Sequence, residues 1–173
     1  MKARSRHLAL LACFALCTAV RTAAADSLAE LQAHFDRETN SIHKAKLLEK
    51  LADAQFDETR RSGTAGDYNA IGLILEKYRD NVHVALEALK KEHHDAERHF
   101  NGYRQVEICV RKGIHEVDEI LLIAPDEYKP PIGLVRRDLA AFQDELIGLL
   151  FPPHHTSQPP PPVSTPPPLE KHP

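Results

Sequence analysis

The chain has 173 residues, with 22 basic against 25 acidic side chains, 13 prolines, 7 glycines and no tryptophan. That length suits one domain, not two full ones, and a net charge of −3 gives no basic footprint for nucleic acid. Glycine this scarce argues against a turn-rich all-β protein.

Residues 1–25 read as a signal peptide. Lys2, Arg4 and Arg6 give a positive start, Leu8 to Val20 an apolar stretch of 13 residues, and Ala23-Ala24-Ala25 a small-residue cleavage site before Asp26. That stretch is short of the roughly 20 residues needed to span a bilayer, so no stable membrane span is expected after cleavage. The rival reading is lipoprotein anchoring at Cys13, on the faint lipobox Leu10-Leu11-Ala12-Cys13. Cleavage after Ala25 removes four basic residues, leaving 18 against 25 acidic and a net charge of −7. It also removes Cys13 and Cys17, so Cys109 has no partner for an internal disulfide.

Residues 26–151 carry apolar residues at helical spacing and only three prolines, Pro125, Pro130 and Pro131. The capping box Ser27-x-x-Glu30 opens a short helix with Leu28, Leu31 and Phe35 on one face. Ser41 is expected to cap the second helix, whose stripe is Ile42, Ala45, Leu48, Leu51, Ala52 and Phe56. Arg60 and Arg61 suit its C-terminal dipole, and Ser62-Gly63-Thr64-Ala65-Gly66 reads as the break after it. Thr39-Asn40-Ser41 is a weak break, so helices one and two are also readable as one bent rod.

The third helix is expected from Asp67 to Lys91, about 37 Å long, with Ile71, Ile74, Leu75, Tyr78, Val82, Ala85, Leu86 and Leu89 in phase. A polar linker from Glu92 to Asn101 follows. The fourth helix is expected to start near Gly102, bury Tyr103, Val106, Cys109, Val110, Gly113, Val117, Ile120 and Ala124, and stop at Pro125. Pro130-Pro131 sets up the fifth, with Val135, Leu139, Phe142, Leu146 and Leu149 as its stripe, and Pro152-Pro153 ends it. Short connections favour antiparallel neighbours, hence an all-α, up-and-down helical bundle of four to five helices.

Residues 152–173 hold 10 of the 13 prolines and read as a disordered proline-rich tail. In polyproline II its 22 residues reach roughly 68 Å. Pro159 and Pro162 also satisfy the P-x-x-P spacing that proline-binding grooves read.

Gly66-Asp67-Tyr68-Asn69-Ala70-Ile71, with Leu75, Tyr78, Leu51 and Ala52, resembles a tetratricopeptide hairpin over about 45 residues. The resemblance implies a helical hairpin; a repeat of about 34 residues is absent. More broadly, the Ala65-Gly66-Asp67-Tyr68 turn, Lys77-Tyr78-Arg79-Asp80, Asn101-Gly102-Tyr103-Arg104-Gln105-Val106 and the ending from Leu146 to Phe151 are similar to uncharacterised exported all-helical bacterial proteins. That likeness implies a shared fold and brings no function.

Chemistry concentrates in Glu92-His93-His94-Asp95-Ala96-Glu97-Arg98-His99. Imidazole and carboxylate together suit a divalent transition metal such as Zn, Ni or Cu, and His93, His94, Asp95 and His99 are the candidate ligands. On a helix, Asp95 and His99 lie one turn apart, as do His93 and Glu97. The plainer reading is a solvated linker, with Lys90, Lys91 and Arg98 repelling a cation. His34, His83 and His115 sit beside carboxylates one turn away and read as exposed faces with weak pairs. Cys109 lies on the inward side of helix four and reads as a small apolar residue. Tyr68, Tyr78 and Tyr103 either pack in the core or gather at one end as a partner patch.

No nucleophile with a base, phosphate-cradling glycine loop or C-x-x-C-H is present in the sequence, so an enzyme and a cofactor are not expected. The expectation is an exported, non-enzymatic helical binding or scaffold module of the bacterial envelope, periplasmic or extracellular, with a protein partner. The alternative is a periplasmic metal-binding protein using the region from His93 to His99.

Overall fold

The structure, a computed structural model, describes residues 28–152. The expected signal peptide (1–25), the Ser27 end of the expected capping box and the expected proline-rich tail beyond Pro152 lie outside the described residues. Those described form five α-helices and no strand: α1 (28–37), α2 (Ser41–Thr64), α3 (Tyr68–Glu92), α4 (Phe100–Ile123) and α5 (Lys129–Leu150), with a 3-10 turn at Asp126–Tyr128.

The ends of the helices follow from local hydrogen bonding. Residues 38–40 separate α1 from α2, so the two are not one rod. The cap of α2 is Asn40, not Ser41: its side chain accepts from the His43 N–H at 2.9 Å, while Glu38 accepts from the Asn40 N–H at 2.8 Å. Ser41 is instead a buried residue of the first turn.

α2 runs through Thr64, past the break expected at Ser62. The turn after it is a Schellman motif. Gly66 has φ +73°, its N–H donates to the Gly63 carbonyl at 3.0 Å, and the Asp67 N–H donates to the Ser62 carbonyl at 2.9 Å. Only Gly66 needs the left-handed backbone, so Gly63 remains an ordinary helical residue. Asp67 then caps α3 by accepting from the Ala70 N–H at 3.0 Å. At the far end of α4, Ala124 is extended before Pro125, and Pro130 and Pro131 fall in the first turn of α5, where a missing N–H costs nothing.

Successive helices pack antiparallel, which gives the up-and-down order. Alternate helices are also neighbours, and those run parallel. Along α2 and α4 the pairs are Glu49–Gln105, Asp53–Lys112 and Arg60–Glu116. Along α3 and α5 they are Arg79–Asp138, His83–Phe142 and Lys90–Glu145. α1 joins α3 through two amide bonds between Gln32 and Asn81, at 2.9 and 3.1 Å. The result is a two-layer zigzag, with α1, α3 and α5 in one layer and α2 and α4 in the other. No Cα of α2 comes within 8 Å of one in α5.

α3 lies between its neighbours on both sides, and its expected stripe is buried, Ile74 excepted. Two glycines of α4 lie at close range to its neighbours, and the approach of α3 depends on the second, Gly113. A Cβ at Gly102 would come 2.7 Å from the Ile42 Cδ1 and 2.9 Å from a Leu89 methyl, and one at Gly113 would lie 2.5 Å from the Tyr78 hydroxyl. The cross-helix ion pairs are all at least partly exposed and contribute about 0–1 kcal/mol each, so the apolar core carries the fold.

Candidate functional site

One end of the molecule gathers the C-termini of α2 and α4 and the N-termini of α3 and α5. A cleft of about 500 Å³ opens there between α2, α3 and α4. Its floor is Ile71, Ile120 and the buried Thr59, and its rim carries Arg60, Glu116 and Glu119. Arg60 donates to Asp57 at 2.7 Å and bridges to Glu116 at 3.0 Å, which raises its already high pKa and fixes a charged rim.

Beside the cleft the apolar surface is unusually open. Leu122 is 83% exposed and Ile123 70%. The cause is visible in the chain: Ile120-Leu121-Leu122-Ile123-Ala124 is an unbroken apolar run, and a helix buries one face only. Ile120 and Ala124 take the core positions, which leaves Leu122 and Ile123 outside. Tyr68 and Tyr128 flank this surface with stacked rings, centroids 5.4 Å apart, and the Tyr68 hydroxyl lies 3.5 Å from the Ile123 carbonyl.

The tyrosines of the sequence reading do not gather. Tyr78 is fully buried, donates to the Cys109 carbonyl at 2.6 Å and packs on Phe56. Tyr103 sits at the opposite end, donating to the His93 carbonyl at 2.7 Å. Tyr68 alone reaches the open end, and its partner is Tyr128, which the periodicity did not single out. The long apolar run at the end of α4 was the available signal for this surface.

The candidate metal ligands lie between α3 and α4. His93 closes α3, and its ring stacks on that of His99 with centroids 3.9 Å apart and a tilt of 22°. His94 turns away, its Nδ1 2.6 Å from the Lys90 carbonyl. Asp95 faces Arg98, accepting from its backbone N–H at 3.2 Å and pairing with its Nε at 3.1 Å. The fold thus brings His93 and His99 together and holds His94 and Asp95 apart from them. No three His, Cys, Asp or Glu side chains converge at metal-binding distance among the described residues.

The remaining histidines among the described residues lie at the surface. His83 stacks on Phe142 at 5.5 Å instead of pairing with Glu87, which bonds Lys90. His115 pairs with Glu119 at 3.4 Å, and His34 is exposed. Cys109 is 3% exposed, and burial, with the Glu49 and Asp53 carboxylates nearby, pushes its thiol up to about 12.

No helix among the described residues is long and apolar enough to cross a membrane. The chain matches no family model, no curated protein and no solved structure.

Proposed function

We propose that the protein is an exported, non-enzymatic binding or scaffold module of the bacterial envelope, and that it docks a protein partner at the open end of the bundle. The observation that carries this is the pair Leu122 and Ile123, exposed beside a charged-rim cleft. Exposed large apolar side chains in a contiguous patch are costly in water and are typical of docking surfaces. The stacked Tyr68 and Tyr128 supply the aromatic, hydrogen-bonding surface that partner interfaces favour. The signal segment of residues 1–25 and the likeness to exported helical proteins support the address. A protonated, buried Cys109 supports the non-enzymatic reading, because the thiolate is the nucleophile.

Crosslinking from envelope extract tests the partner. The native protein is expected to capture one dominant protein, and Leu122→Asp with Ile123→Asp to lose it while keeping the native circular dichroism spectrum. Capture of the same protein in equal yield by that variant rejects the surface. Intact mass separates the two addresses, since a chain beginning at Asp26 supports cleavage after Ala25 and a diacylated Cys13 supports anchoring.

A second reading has its own observation. The His93 and His99 rings stack with centroids 3.9 Å apart, which places two imidazoles, the ligand type of divalent transition metals, side by side. Calorimetric titration with Zn²⁺ or Ni²⁺ is expected to release heat from the native protein that His93→Ala with His99→Ala removes. Equal heats from both proteins reject this reading.

A further inference from the structure

α5 carries the chain from the open end of the bundle to the opposite end, the end of Tyr103. Its 22 residues span about 33 Å. The 21 residues that follow Pro152 hold nine of the 13 prolines. In polyproline II, at about 3.1 Å per residue, they reach roughly 65 Å. The tail therefore starts far from Ile123, yet it is long enough to return there. Along it, Pro162 comes about 31 Å from Pro152 and Leu169 about 53 Å. The stretch from Pro162 to Leu169 is thus the part whose reach matches the open end.

The surface there has the chemistry such a segment needs. A polyproline II chain has no internal hydrogen bonds, so its carbonyls take outside donors, and its proline rings pack on aromatic faces. Tyr68 and Tyr128 are half-buried and stacked, with centroids 5.4 Å apart, which makes an aromatic platform. The Tyr68 hydroxyl lies 3.5 Å from the Ile123 carbonyl, too long for a strong bond, so it remains a donor for an incoming carbonyl. Ile123, 70% exposed, gives an apolar wall for Val163 or Leu169. On the rim, Glu119 has only His115 as a charged partner among the described residues, which leaves a carboxylate for Lys171.

We propose that the chain's own tail, from Pro162 to Leu169, docks on the surface formed by Tyr68, Tyr128 and Ile123 and competes there with the protein partner. This rests on the reading of the open end as a docking surface and adds its regulation. The tether favours this occupant over the same segment of a second copy. A linker long enough to span the distance sets an effective concentration on the order of millimolar, above that of a free copy in dilute solution. The ordering cost is low, because polyproline II is extended before it binds. The two proline runs then divide the work: Pro159 to Pro162 spans the side of the bundle, and Pro166 to Pro168 meets the tyrosines.

Paramagnetic broadening in the full processed chain tests the contact. A nitroxide is placed at Ser164→Cys, Cys109 being buried. The amide signals of Tyr68 and Ile123 are expected to lose most of their intensity and that of Tyr103 to keep it. Adding Pro166→Ser, Pro167→Ser and Pro168→Ser keeps the label and the reach, and is expected to restore the signals. Unbroadened signals, or equal broadening in the serine variant, overturn the proposal. So does broadening of an unlabelled chain by a labelled one, which would assign the surface to a second copy. In the envelope crosslinking experiment the serine variant is expected to capture more of the dominant partner than the native chain, and equal capture overturns the competition. Capture of no protein by either chain rejects the partner reading instead, and the broadening still decides whether the tail docks.

Discussion

Gly113→Ala is expected to destabilise the protein by about 3 kcal/mol, against the roughly 1 kcal/mol that the same exchange gains in an exposed helix. The new Cβ would meet the Tyr78 ring, 2.5 Å from its hydroxyl and 2.7 Å from its Cζ. That ring cannot yield. It is fully buried, it packs on Phe56 with centroids 4.8 Å apart, and its hydroxyl is tied to the Cys109 carbonyl at 2.6 Å. Either α3 moves away from α4 or the Tyr78 bond breaks, and both loosen the centre of the zigzag. Gly102→Ala is the internal control. Its Cβ would meet terminal methyls of Ile42 and Leu89, which can rotate aside, so a change within about 1 kcal/mol is expected. Urea denaturation measures both. A midpoint for Gly113→Ala at or above the native value would refute the packing account, and Tyr78→Leu should partly rescue the variant.

Alkali is the second large lever. In the unfolded chain the Cys109 thiol ionises near 9.0, whereas in the fold it holds its proton up to about 12. Between those values the unfolded state binds fewer protons than the native state, so stability falls as pH rises. It is fully present below the unfolded value and declines by about tenfold in the folding equilibrium per pH unit above it. Tyr78, whose hydroxyl burial pushes well above its ordinary value of 10.0, steepens the decline above that point. Cys109→Ala is expected to flatten the slope between pH 9 and 10 and to leave the Tyr78 contribution intact, as read by urea midpoints across that range. The thiol is also expected to resist iodoacetamide at pH 8 until urea unfolds the chain; rapid alkylation of the native protein would contradict its burial.

Much of the fold was legible because the helices are long and their stripes regular. α3 follows its expected register almost residue for residue, and the prolines fix the ends of α4 and α5. The differences fell on glycines and on the cap of α2, where Asn40 takes the place expected of Ser41. Gly63 reads as a breaker and Gly102 as a helix start, yet both are helical, and at Gly102 the missing side chain makes room for Leu89 and Ile42. That requirement belongs to tertiary packing and leaves no local mark. The up-and-down order already makes alternate helices parallel, but that they are also neighbours was not legible, because it depends on how the apolar stripes pack in three dimensions. The histidine segment was visible as composition, but the way His94 and Asp95 turn from the stacked pair depends on the backbone of the connection. The open end could have been seen in the run Ile120 to Ala124, since five consecutive apolar residues exceed one helical face.

The two glycine contacts have the same spacing on both helices: Gly102 and Gly113 on α4 are 11 residues apart, as are Leu89 and Tyr78 on α3. Eleven residues is close to three full turns, so both notches face the same way and both side chains enter together. A slide of α3 by one turn would set Tyr78 against a position that carries a side chain and leave a notch unfilled. α3 and α4 are therefore keyed to each other in one register. That key gives the chain a means of rejecting misaligned pairings during folding, which the smooth leucine stripes alone would tolerate.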